Sequence, residues 1–202
     1  MSQATYLAIV ADIYSLTARP DLIAETALAV RKATMKAHSV DFWKNDLTVV
    51  TVTMPVLSTN GDVSFRYSLD LTATATYPLY RKISHIKEYN IPLTGQEIQF
   101  KELDMDRLLD NYLLEDINYF SQAGMQVSLR CNKVLGQIAV GYWKYPDINA
   151  ATYTSWIADQ YRDMIIEEAC ASIYKAIGKD NEYQRLAQNF AENLHMLQMT
   201  QL

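Results

Sequence analysis

Glu192 and His195 stand three residues apart in Glu192-Asn-Leu-His195. On a helix that spacing puts a carboxylate and an imidazole on one face, as paired metal ligands of carboxylate-bridged bundles require. Such a centre also needs a second Glu-x-x-His and further helical carboxylates. At the matching offset His38 follows Met35 and His85 follows Lys82, so the partner motif is missing and a solvated helix face is the better reading. Glu167 and Glu168 invite a similar question, Glu168 lying beside the apolar flank of Met164 and Ser172. Interhelical ion pairs account for such carboxylates more often than catalysis does. Cys131 and Cys170 belong to no Cys-x-x-Cys and read as small core hydrophobes in a reducing compartment. No serine sits in Gly-x-Ser-x-Gly, neither phosphate-cradling glycine motif occurs, and the 3 histidines lie in unrelated contexts. Nothing here pairs a nucleophile with a base, so the expectation is a non-enzymatic protein without metal or cofactor.

Charge and composition narrow the class further. A net charge of −5 disfavours a grip on nucleic acid, which usually takes a strong basic excess. The basic clusters Arg31, Lys32 and Lys36, and Arg81, Lys82 and Lys87, lack the density of a phosphate-binding stripe and read as solvated faces. With 202 residues, half of them hydrophobic, the chain can bury a sizeable core. It contains 14 tyrosines and 3 tryptophans, residue types that interfaces favour as well as cores. No apolar run is long enough to span a membrane, and the first ten residues lack a signal peptide's basic region and cleavage site. A protein without membrane association or export by that route is expected.

The elements that must carry these residues can be read from periodicity. The longest helix is expected over Thr154–Gly178, with a Thr154 or Ser155 cap at its start and Gly178 supplying a left-handed residue at its end. Ile157, Tyr161, Met164, Ile165, Ala169 and Ile173 recur at helical spacing within it and must be buried. A second helix follows in which Tyr183, Leu186, Phe190, Leu194 and Leu197 step by three or four residues, so the two form a helical hairpin. At the N-terminus Gln3–Leu16 reads as one helix. Another begins near Pro20 and Asp21, carries Ile23, Ala27, Val30, Thr34 and Ala37 inward, and ends at Lys36 and His38.

From Leu47 the period becomes two. Thr48 to Met54 alternate, Asn60-Gly61 offers a tight turn, and Val63 to Leu71 alternate again, which predicts a β-hairpin. Pro55 marks a strand end. Tyr80–Tyr89 is a third strand. After Pro92 and Gly95 a short helix carries Met105, Leu108, Leu109 and Tyr112. The pairs Met125 to Cys131 and Ile138 to Tyr142 flank a turn over Asn132–Gly136. Helices, then strands, then helices predict an α+β fold. Its helical bundle comprises residues 1–45 and 150–202, with a β-rich subdomain and short helix inserted over 46–149. Bundle-core residues are Ile157, Tyr161, Ile165, Ile173, Leu186 and Phe190, joined by Phe42 and Trp43.

Two blocks resemble the head-to-tail adaptor (connector) proteins of tailed bacteriophages. One runs from Leu16-Thr-Ala-Arg-Pro-Asp-Leu-Ile-Ala-Glu-Thr to His38-Ser-Val-Asp-Phe-Trp-Lys-Asn-Asp46; the other is Gly141-Tyr-Trp-Lys-Tyr-Pro146 with the two C-terminal helices. The resemblance implies a viral structural protein of the virion, assembled in the host cytoplasm, that forms a homo-oligomeric ring of about twelve copies below the portal. Such a ring joins head to tail, contacts tail or nozzle proteins, and extends the ejection channel, letting genomic DNA pass without specific binding. It also implies a C-terminal segment that reaches the portal. Here Leu194, Met196, Leu197, Met199 and Leu202 spread apolar side chains around more than one helix face and are the expected portal-docking residues. Two alternatives remain: another tail-completion ring protein, and a metal-binding bundle enzyme resting on Glu192 and His195.

Overall fold

The computed structural model describes residues 3–55, 58–59, 65–89, 98–109, 118–131 and 134–201. The fold is α+β, and the chain divides into two compact units, Met1–Asp46 with Tyr145–Leu202, and Leu47–Lys144. Asn60-Gly61, Pro92, Gly95, Tyr112, Asn132-Lys133 and Leu202 lie outside the described residues.

The first unit is helical. Helix α1 spans Gln3–Thr17, α2 Ile23–Ser39, α4 Trp156–Gln160, α5 Arg162–Ala176 and α6 Asp180–Gln201. Helices α1, α2 and α6 all pack on α5, whose Met164, Ile165, Ile166, Ala169, Cys170 and Ile173 are buried in one cluster. Tyr6, Ile9 and Ile13 of α1 and Ala29, Val30, Ala33 and Ala37 of α2 complete its centre. These are the i, i+3, i+4 positions that a 3.6-residue period brings to one face.

Several expectations change here. Pro20 and Asp21 precede α2 and form a turn held by the Arg19–Asp21 ion pair, with Leu22 as the cap. Ile23, at the first helical position, points outward because the buried stripe starts only at Thr26. The long helix over Thr154–Gly178 is two. Tyr161, at φ −131° and ψ 50°, ends α4 by donating its N–H to Ile157 O and starts α5 by accepting from Met164 N. That break rotates the following turns so that Ile166 is buried, while Tyr161 itself is 39% exposed with its ring edge-on to Trp156. Tyr161 is therefore a rim residue, not a core one. Ser155 caps α4 through Ala158 N–H at 3.1 Å. Gly178, at φ +75°, closes α5 as its spacing predicts: its N–H reaches Lys175 O and Lys179 N–H reaches Tyr174 O, the paired bonds of a Schellman cap.

Among the described residues the second unit is a sheet of eight strands: β1 Leu47–Thr53, β2 Ser58–Thr59, β3 Phe65–Asp70, β4 Tyr80–Glu88, β5 Gln99–Glu102, β6 Tyr119–Ala123, β7 Gln126–Cys131 and β8 Gln137–Lys144, with the short α3 at Met105–Leu109. Their order is β1-β8-β4-β5-β6-β7-β3-β2, with β5 and β6 parallel and the other neighbours antiparallel. Side chains from both ends of this order, Val50 and Val52 on β1 and Tyr67 and Leu69 on β3, belong to one core with Ile86, Phe120, Leu129, Ile138 and Val140, so the sheet curls around its own apolar face.

The predicted hairpin between β1 and the Val63–Leu71 segment is overturned. All seven residues of β1 pair with β8, Leu47 opposite Trp143 through Thr53 opposite Gln137, whereas β3 pairs with β7 and the two residues of β2. A turn signal is local, while the pairing is decided by which apolar faces can share a core. Met125 sits in the β6–β7 turn, one residue before β7.

Candidate docking surface

The α4–α5 break has a geometric result: it opens a groove beside the last turns of α6. Gln160, Tyr161, Arg162, Asp163 and Met164 form one wall and Asn193, Met196, Leu197 and Thr200 the other, around a cavity of about 560 Å³. Arg162 is tied to Asp12 of α1, so the wall is braced from behind. A second groove of about 310 Å³ runs between α2 and α5 over Leu28, Ala29, Ile173 and Ala176.

The expected portal-docking residues divide between core and surface. Helix α6 continues unbroken to Gln201, and its buried stripe extends through Phe190, Leu194 and Leu197. Leu194 and Leu197 are thus bundle core, a correction whose cause is that eight more residues of helix follow Asn193 and carry the buried stripe past it. Met196 and Met199 point away from that stripe and are 61% and 65% exposed. Among the expected core residues, Ile157, Ile165, Ile173, Phe190 and Trp43 are buried and Leu186 packs against their cluster. Phe42 is 41% exposed. Its N–H donates to Asp41 Oδ1 at 2.6 Å, which turns the chain so that Trp43 rather than Phe42 faces inward. The Trp43 indole lies edge-on to Trp156 at 5.8 Å and donates to Ala37 O at 3.2 Å.

One constellation escaped the sequence altogether. His38 Nδ1 lies 2.8 Å from Asp46 Oδ2, and His38 Nε2 lies 2.9 Å from Ser155 Oγ. Trp156 Nε1 donates to Asp46 Oδ1 at 2.9 Å. With Nδ1 donating to the carboxylate, a neutral ring leaves Nε2 to accept the Ser155 hydroxyl proton. That connectivity matches a nucleophile, a base and the carboxylate that orients the base. The setting differs: Ser155 is only 5% exposed, and its Oγ already accepts the Ala158 N–H as a helix cap. Neither of these two grooves is lined by His38, Asp46 or Ser155. The trio acts as a clamp that fastens the end of α2 to the turn Lys44–Asp46 and to the start of α4. Beside it Tyr153 and Thr34 share a hydrogen bond of 2.6 Å, and burial pushes the Tyr153 phenol above its ordinary value. No local motif could announce this clamp, since 117 positions separate His38 from Ser155.

The remaining candidates are placed as follows. Glu192 and His195 are both exposed on α6, and among the described residues no group of three or more potential ligands converges. Glu168 pairs with Lys36 at 2.7 Å, and Glu167 accepts from Asn193 at 2.9 Å. Cys131 and Cys170 are buried free thiols, and burial pushes Cys170 up to about 11. Among the described residues no helix is long and apolar enough to cross a membrane. In comparisons with known proteins, no family model matches this chain and no curated protein matches it.

Proposed function

We propose that this chain is a structural adaptor, a ring subunit that seats below the portal of a tailed bacteriophage, joins head to tail and extends the DNA channel. The observation that carries the reading is that the helical unit keeps large apolar side chains exposed on separate helices. Leu7 and Leu16 lie on α1, Ile23 and Leu28 on α2, and Met196 and Met199 on α6. A ring subunit needs more than one contact surface, one for each neighbour and one for the structure it docks on. The resemblance of the His38–Asp46 and Gly141–Pro146 blocks supports the same reading. So does the net charge of −5, which suits a channel that must not hold DNA.

In this proposal the portal seat is the groove between the α4–α5 break and α6. Met196 on its rim is an unbranched, adaptable side chain suited to an irregular partner surface, and Tyr161 opposite it supplies an amphipathic ring. Truncation at Asn193 would be a poor test, because it removes Leu194 and Leu197 from the core. The clean test is Tyr161→Ala with Met196→Asp in the full chain, assayed for capture by purified portal rings. Unchanged circular dichroism with lost capture is expected; capture equal to that of the unaltered chain would overturn the assignment. A different tail-completion ring protein would self-associate without portal capture, so the unaltered chain in the same assay separates that alternative.

A further inference from the structure

Helix α6 has two exposed flanks. Asn193, Met196 and Thr200 step along the one that lines the proposed portal seat. Glu192, His195 and Met199 recur at i, i+3 and i+7 along the other and are all exposed. We propose that this second flank docks into the α2–α5 groove of another copy of the chain, joining copies head to tail. The ring geometry rests on the adaptor reading, whereas the contact itself rests on the two surfaces.

The groove and the flank match in shape and in charge. Leu28, Ala29, Ile173 and Ala176 give an apolar floor with two alanines that leave room for a methionine, and Lys32 and Lys175 stand at its rim with Glu25. Lys32 has no ion-pair partner among the described residues, and Lys175 Nζ rests 5.1 Å from the Tyr183 ring centre without a carboxylate. On α6, Glu192 is held only by the neutral amide of Gln188 at 2.8 Å, so its charge stays available to a partner ammonium.

A flank bearing one carboxylate and one methionine therefore matches an apolar groove rimmed by two lysines on the same chain. Opposite charges across such a contact set register and suppress wrong pairings. Because the two surfaces differ, the contact is heterologous and closes into a ring when its rotation allows. This assigns a role to Glu192 and His195 other than metal binding, and to Lys32 other than a solvated charge.

The test uses the full-length chain in sedimentation and light-scattering measurements. The unaltered chain should self-associate with rising concentration. Lys32→Glu with Lys175→Glu, and separately Glu192→Gln with Met199→Ala, should each weaken association by about tenfold or more, while Arg31→Glu, beside the groove but not lining it, should have little effect. Mixing the two altered chains gives the decisive result, because each keeps one intact surface: the mixture should form 1:1 pairs and nothing larger. Association unchanged in either variant, equal weakening by Arg31→Glu, assemblies beyond pairs in the mixture, or an unaltered chain that stays monomeric would each overturn the inference. Portal capture is read in parallel. Capture without the predicted mixing pattern removes this contact and leaves the adaptor reading standing; the mixing pattern without capture does the reverse.

Discussion

Replacing Asp46 tests the clamp in a way that separates a structural network from incidental proximity. Its side chain is buried and accepts from a buried donor, His38 Nδ1 at 2.8 Å, and a partly buried one, Trp156 Nε1 at 2.9 Å. In Asp46→Ala both donors lose their acceptor, and each stranded group costs about 1–3 kcal/mol, so the helical unit should lose about 3–5 kcal/mol. Asp46→Asn is a different case. Its carbonyl oxygen still accepts from Trp156, and its amide can donate to Nδ1 if the imidazole moves its proton to Nε2. Ser155 Oγ then accepts from Nε2. Both His38 and Trp156 keep a partner, so the loss should be smaller than for Asp46→Ala, at about 1 kcal/mol. The assay is urea unfolding followed by helical circular dichroism and by tryptophan fluorescence, with Trp43 and Trp156 reporting on this unit. Equal losses for the two substitutions, or a negligible loss for Asp46→Ala, would refute the argument.

Other consequences follow from the same geometry. Trp43→Ala should cost about 3–5 kcal/mol, the range for a buried aromatic, and Phe42→Ala well under about 1 kcal/mol; thermal melts of the two variants compare them directly. Tyr77 is buried in the β unit, and burial, reinforced by nearby Tyr142, pushes its phenol from 10.0 up to about 12. A raised acid keeps its proton longer in the folded state, so its contribution is complete below pH 10 and is lost as pH rises toward about 12. Tyr77→Phe should flatten the fall of stability across that window, and a denaturation series against pH would detect it. Ser155 should resist a fluorophosphonate probe under native conditions, because its hydroxyl is enclosed and serves as a cap; a labelled Ser155 peptide in mass spectrometry would contradict the clamp reading.

Much of the fold could be read locally. The stripe Tyr6, Ile9 and Ile13, the glycine at the end of α5 and the period-two runs of β1, β7 and β8 each follow from rules that act within a few residues. What escaped depends on distant partners. Strand β5, Gln-Phe-Lys-Glu, has one buried side chain and no alternation long enough to notice. Strand β6, Tyr119–Ala123, buries adjacent Phe120 and Ser121, which breaks the expected pattern. Asn60-Gly61 signals a turn but cannot say that β1 pairs with a strand beginning 84 positions after Thr53. The Tyr161 break carries no glycine or proline to mark it. At the candidate surface the periodicity already set Leu194 and Leu197 on the stripe of Leu186 and Phe190, and the helix keeps that stripe buried to Leu197 while Met196 and Met199 face outward.

The central claim is that copies of this chain assemble as an adaptor on a portal. Mass measurement of the purified chain with and without portal rings tests it most directly. The account predicts a portal-bound species carrying a full ring of copies, absent when Tyr161→Ala and Met196→Asp are combined. A chain whose mass stays that of the free protein at high concentration beside intact portal rings would contradict it.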